Sequence, residues 1–262
     1  MVLALLALAL YLAAAALIWR GASSSAGERV LPAVALLLHA VVLSQQVFRG
    51  GSLSIGIGEA LSLFAWQAAL LLWALCWREP VRALGLAVYP LAGIAAVLAI
   101  AAPASLVGEP AAIGWKTRTH VVLSLLSAGL LTLAAIHALL LAVQERLLHD
   151  HRLTHMTRAL PPLQTMERLL FQFIGIGFLL LSLTLLSGLW FVRDWLAQHL
   201  AHKTVLSISA WLIFGVLLWG RLRHGWRGRT AIRWTLAGYA TLILSYFGSK
   251  LILEEILGKH WG

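Results

Sequence analysis

The sequence predicts an all-α, polytopic transmembrane helix bundle of about eight spans, and three observations carry that expectation. Of its 262 residues, 61% are hydrophobic and only 11% are charged, whereas soluble domains run nearer half apolar and a quarter charged. The apolar residues gather into runs of about 20, the length that crosses roughly 30 Å of hydrocarbon. Charge, Pro and Gly fall between the runs, and no polar stretch is long enough for a soluble domain. One transmembrane domain over residues 1–262 is expected.

The spans are read near 2–19, 30–48, 59–77, 82–102, 119–147, 168–192, 204–220 and 232–253. Helices are required because backbone groups in lipid must bond within their own segment. Stretches such as 121–144 lack the apolar and polar alternation of a barrel strand. The first run resembles a secretion signal, but no basic residue precedes it, and Trp19-Arg20 follow it where small residues would be cleaved.

Loop charge orients the bundle. Thirteen basic residues lie in loops after odd-numbered spans: Arg20, Arg29, Arg78, Arg82, Arg146, Arg152, Arg158, Arg168, Arg221, Arg223, Arg227, Arg229 and Arg233. Seven lie on the other side: Arg49, Lys116, Arg118, Arg193, Lys203, Lys250 and Lys259. The positive-inside rule puts the larger set in the cytoplasm and both termini outside. The net charge of +10 thus reads as topology and attraction to anionic lipid. No nucleic-acid partner is expected, since the basic residues are split among short loops and no binding motif accompanies them.

Cys76 is the single cysteine, so there is no disulfide framework, CxxC pair or CxxCH haem attachment site. Walker, Rossmann, GxSxG and HExxH patterns are also absent. Nothing points to a hydrolase or an ATP-driven pump, and no catalytic residue is assigned.

Histidines carry the chemistry that remains. His39 lies mid-helix in the second span and His137 inside the fifth. Ionisable side chains within a bilayer are costly and mark functional sites by default. Neutral imidazole is also a common axial ligand of haem iron. At helical rise, His39 lies roughly 13 Å and His137 roughly 15 Å from the cytoplasmic ends of their spans. Each has an alternative role, bonding a neighbouring helix through a ring N–H.

His120 opens the fifth span on the outer face, where a ring nitrogen is ordinary, and His202 and His260 are expected on the same side. Trp115, Trp195 and Trp261 near that boundary read as an aromatic belt, although a porphyrin would also stack on them. His149, His151 and His155, with Arg152 and Arg158, imitate a metal site, but a solvated loop is favoured, and no metal ligands are assigned.

Three segments in order carry a resemblance: 120–144, HVVLSLLSAGLLTLAAIHALLLAVQ; 160–190, LPPLQTMERLLFQFIGIGFLLLSLTLLSGLW; and 211–248, WLIFGVLLWGRLRHGWRGRTAIRWTLAGYATLILSYFG. Together they resemble the cytochrome c assembly family of membrane proteins, in particular its shorter bacterial, YpjD-type branch. The resemblance is strongest over 118–250; the N-terminal half follows in span pattern and in His39. It implies a bacterial inner-membrane, multi-pass protein that handles haem as a transporter or chaperone, with no bond-making chemistry of its own. The haem would be b-type and non-covalent, and the partners would be the lipid bilayer, haem and other cytochrome c maturation proteins.

Carried over by position, His120 matches an outward-facing haem ligand and His39 an intramembrane one, while His260 and His202 fall in the region of a second outer ligand. The haem-presenting members carry a Trp-rich segment ending in WDPKET. Residues 193–204, RDWLAQHLAHKT, hold only Trp195 and lack that ending, so haem attachment by this chain alone is not expected. Two other classes stay open. One is a non-haem accessory protein, such as a modulator of a cation transporter, in which the histidines are structural. The other is an oxidoreductase with bound b-type haem.

The shared motifs also have packing roles. Gly175, Gly177 and Gly188 permit close helix approach, and Gly225 and Gly228 permit a tight turn between the last two spans. Arg227 and Arg229 there suit lipid phosphates, and Pro161-Pro162 mark the start of the sixth helix.

Overall fold

Apolar runs of this length become helices because each residue then closes a backbone hydrogen bond within its own segment, and the computed structural model has eight α-helices among its described residues. It describes residues 1–21, 25–49, 52–54, 57–77, 81–101, 106–108, 115–150, 160–191 and 198–248. Of 25–26, 48–49, 52–54, 57, 106–108, 117, 191, 198–202 and 247–248 it describes the backbone alone.

The helices are α1 (Val2–Arg20), α2 (Ser25–Val47), α3 (Ile57–Leu75), α4 (Gly85–Ala101), α5 (Trp115–His149), α6 (Leu163–Phe191), α7 (Gln198–His224) and α8 (Arg229–Ile243). Seven, α1 to α7, are long and apolar enough to cross a membrane. Helix α8 continues into a π turn, Leu244–Gly248, where the described residues end. One feature was not anticipated. The connectors carry short strands β1 (Phe48–Arg49), β2 (Ser52–Ser54) and β3 (Leu106–Gly108), paired antiparallel in that order with Phe48 opposite Leu53 and Leu53 opposite Gly108.

The chain divides into two compact units, residues 1–114 with 143–163 and residues 115–142 with 164–262. In the first, α1 packs on α2 and α4, and α3 packs on α2 and α4. Small residues make this possible. The buried face of α1 is Ala4, Ala7, Tyr11, Ala14, Ala15 and Ile18, and that of α4 includes Ala92, Gly93, Ala96 and Ala99. A Cβ on Gly93 would come within 3.0 Å of the Leu8 Cα, so this crossing tolerates no side chain there. Small residues of this kind let backbones approach where lipid supplies no hydrophobic drive for helix association.

The second unit is an antiparallel four-helix arrangement. Helix α5 meets α6 through pairs whose numbers run in opposite directions: His120 with Ser187, Ser127 with Gly177, and His137 with Met166. Helix α6 meets α7 where Phe178 stacks on Trp211, with ring centroids 5.4 Å apart. Helix α7 meets α8 at Phe214 and Gly238, where a Cβ would lie 2.9 Å from the Phe214 ring. Thr132 and the Tyr239 hydroxyl, 3.0 Å apart, tie α5 to α8.

Two distant motifs close one turn in this unit. Glu167, in the first turns of α6, accepts the Gly228 N–H at 2.9 Å and pairs with Arg227 at 3.5 Å. Gly228 adopts φ 53° and ψ −132° as the residue before α8, a conformation that side chains disfavour. Arg227, read from the sequence as suited to lipid phosphate, thus has an acidic partner in Glu167.

Candidate functional site

A histidine near the start of a long apolar helix needs a partner for its ring if it is drawn off the solvent, and α5 gives His120 one on α6. His120 is half-buried, and its Nδ1 lies 2.8 Å from the Ser187 Oγ. Ser187 in turn donates to the Thr184 carbonyl at 2.8 Å. A serine has one proton. With that proton on the carbonyl, Oγ can only accept, so the network assigns the N–H of His120 to Nδ1. Nε2 then keeps its lone pair. This is the arrangement that fixes a metal-ligating imidazole, one nitrogen held by an oxygen and the other keeping its lone pair. Gly188 completes it, since a Cβ there would stand 3.3 Å from the His120 Cε1.

The ring lines a cavity of about 520 Å³ within the second unit, formed by α5, α6, α7 and the π turn. That volume falls within the roughly 300–1,000 Å³ of small-molecule and cofactor sites. Its wall is mostly apolar, with Trp211 laid against Phe178 and Lys203, Ser245 and Tyr246 lining it as well. The Trp211 indole donates to Ser182 at 2.8 Å, which fixes the ring against α6. Tyr246 hydrogen-bonds to Ser124, one turn beyond His120 on α5. An apolar cleft with an aromatic wall, one imidazole lone pair and one cation suits a flat, hydrophobic, acid-bearing cofactor such as haem.

The other predicted residues fall elsewhere. His39 is fully buried in the first unit, with Nε2 2.8 Å from the Ser62 Oγ and Nδ1 3.4 Å from the Tyr11 hydroxyl. Tyr11 stacks in turn on Tyr89 at 5.8 Å. Both ring nitrogens are therefore engaged, and ligation would require breaking one of these bonds. His137 is 2% exposed, donates from Nε2 to the Met166 carbonyl at 2.8 Å and meets Phe173 edge-on. Among the described residues its Nδ1 is a buried lone pair without a partner, and it does not line the cavity beside His120.

His120 and His137 share one helix, 17 residues or about 25 Å apart, too far to share an iron. For His202, in the first turns of α7, only the backbone is described, and the next residue, Lys203, lines the cavity. His260 lies outside the described residues, as do His151 and His155. His149 ends α5, exposed. Among the described residues no group of three His, Cys, Asp or Glu could hold a metal ion.

Several residues of consequence escaped the reading of apolar runs. Ser187 and Thr184 read as ordinary polar interruptions of α6. Glu59 and Gln67, both buried on α3, sit within a run taken as hydrocarbon. A buried carboxyl in a membrane span was itself a signal.

With this geometry in view, the family is decided by a match that is nearly complete: the model of the cytochrome c assembly proteins matches residues 1–257. The chain belongs to the cytochrome c assembly protein family. The match extends the resemblance from the C-terminal half, where the motifs were strongest, across the N-terminal half. The chain is 40% identical over 137 residues to the inner membrane protein YpjD of Escherichia coli strain K12, covering 52% of each chain. It is 35% identical over 170 residues to a 28.8 kDa protein from the nifR3-like 5' region of Azospirillum brasilense, covering 63% of this chain and 62% of that one. More distant is the cytochrome c biogenesis protein CcsA of Gloeobacter violaceus, 25% identical over 100 residues, covering 37% of this chain and 30% of that one. The chain thus spans about half the length of the E. coli relative it matches. No solved structure matches it.

Proposed function

We propose that this protein handles haem in cytochrome c biogenesis, as a transporter or chaperone in a bacterial inner membrane. It binds b-type haem non-covalently through the His120 Nε2 and carries out no bond-making chemistry on it. The observation that carries this reading is the Ser187 tie, which puts the ring proton on Nδ1 and leaves a lone pair on Nε2 of a histidine that lines a cofactor-sized cavity. Family membership supports the same direction, as does the inner-membrane relative.

In this reading α5 and α6 bind and orient, Trp211 gives a stacking wall, and Lys203 faces the acidic edge of the ligand. His202 or His260 would supply a second nitrogen to the iron. The bound haem would provide a tightly absorbing iron centre, which makes the test simple. The purified protein is titrated with haemin and the Soret band recorded, for the wild type and for His120→Ala. A Soret band that His120→Ala diminishes supports the site. Protein that stays colourless after haem is added sinks the reading.

The second reading, a non-haem accessory protein, draws support from His39, whose two ring nitrogens already have partners. There the histidines hold helices together, and interhelical hydrogen bonds in membranes contribute about 0.6 kcal/mol on average.

A further inference from the structure

The hairpin of α2 and α3 carries an apolar trough that opens to the outside of the first unit. Three residues of α2, Val30, Val34 and Leu37, form a stripe one helical face wide, and they are 55%, 40% and 67% exposed. Across from them stand Trp73 and Trp77, and the trough encloses about 460 Å³. From Val30 to Leu37 the stripe descends about 10 Å along the helix. At its head sits Arg29, about one turn from the start of α2 and level with the end of α3, so the trough begins where the spans meet the interface.

Among the described residues no carboxylate compensates the charge at that head. Glu28, next in the chain, pairs with Arg82 at 3.6 Å. Among the described residues Arg29 has no carboxylate partner, and its guanidinium lies over the Trp77 ring, 4.6 Å from the centroid. Trp73 donates its indole N–H to the Arg29 carbonyl at 3.0 Å, which fixes the α2 backbone beneath the guanidinium. A fixed guanidinium with open donors suits a phosphate, and an exposed apolar stripe below it suits an acyl chain. In a bilayer, one molecule presents both at this spacing.

We propose that this trough is a binding site for a single anionic glycerophospholipid. Its phosphate rests on Arg29 between the Trp77 ring and the interface, and one acyl chain lies along Val30, Val34 and Leu37. The negative headgroup neutralises the cation that Glu28 leaves unpaired, so lipids of net negative charge are retained over zwitterionic ones. The site lies wholly in the first unit and does not depend on the haem reading.

The test is native mass spectrometry of the full chain, delipidated in mild detergent and offered an equal mixture of phosphatidylglycerol and phosphatidylcholine. The wild type should keep phosphatidylglycerol preferentially. Arg29→Ala should lower that preference about fivefold, in line with one basic residue at an anionic surface. Arg29→Lys should keep it in part, and Val34→Trp, which fills the trough, should lower retention of both lipids. Arg223→Ala, an exposed arginine on α7 in the other unit, should change nothing. Equal retention of the two lipids by the wild type, or an unchanged preference in Arg29→Ala, overturns the proposal. Thermal unfolding of each variant separates loss of the site from loss of the fold.

Discussion

At the scale of single residues, the candidate site turns on where one proton sits. Removing the Ser187 hydroxyl lets the His120 ring turn and change tautomer, although no direct ligand is lost. Ser187→Ala should therefore weaken haemin binding about 10- to 100-fold, as loss of a supporting hydrogen bond does at metal sites. Ser187→Thr, which keeps the hydroxyl, should restore most of it, and the Soret titration reads both. His39 gives the opposite expectation. His39→Leu strands the Ser62 and Tyr11 hydroxyls in the interior, at about 1–3 kcal/mol of stability. It should leave the Soret band in place while lowering the midpoint of unfolding in detergent; loss of the band with stability unchanged would make His39 a ligand after all. The histidines themselves were legible as candidates, because an imidazole in a bilayer is conspicuous. Their roles were not, because His120 and Ser187 lie 67 residues apart and His39 and Ser62 lie 23 apart.

At the scale of elements, the helices were legible from apolar runs but their ends were not. The seventh span was expected over 204–220 and the helix covers Gln198–His224. Hydropathy marks the part that lies in hydrocarbon, whereas the helix continues into the polar interface, where its backbone bonds still close. The turn after α7 was recognised from its glycines, but not its lock. Gly220 sits under Trp226 so tightly that a Cβ there would overlap the indole, and Glu167 holds Gly228 and Arg227 from α6. Glu167→Ala leaves the Gly228 N–H without its acceptor and should cost about 1–3 kcal/mol. Hydrogen exchange should rise at 225–229 before it rises in the α6 core. A change spread evenly over unit two would count against this lock. The short sheet of β1, β2 and β3 had no signal of its own, since strands of two or three residues are too short for any alternation to appear.

At the scale of the whole molecule, the membrane character followed from composition alone, and family membership followed from ordered motifs that no composition could supply. Orientation belongs to this scale too. With 13 basic residues on one side and 7 on the other, an alkaline phosphatase fused after Gly262 should be active and a cytoplasmic reporter fused there should be silent. The reverse result would put the His120 cavity on the cytoplasmic side. The division of the chain into two units could not be read from the sequence, because the apolar runs on either side of it have the same composition and spacing.

The π turn at Leu244–Gly248 amounts to one residue more than a regular helix would hold, and it falls where Ser245 and Tyr246 line the cavity. Such insertions persist mainly where a function keeps them. A π turn absorbs that residue locally and keeps the helix on either side in register, so deleting Leu244 should restore a regular helix and re-aim only the side chains within the turn. The cavity would lose Tyr246 from its wall although no residue of the wall had been mutated.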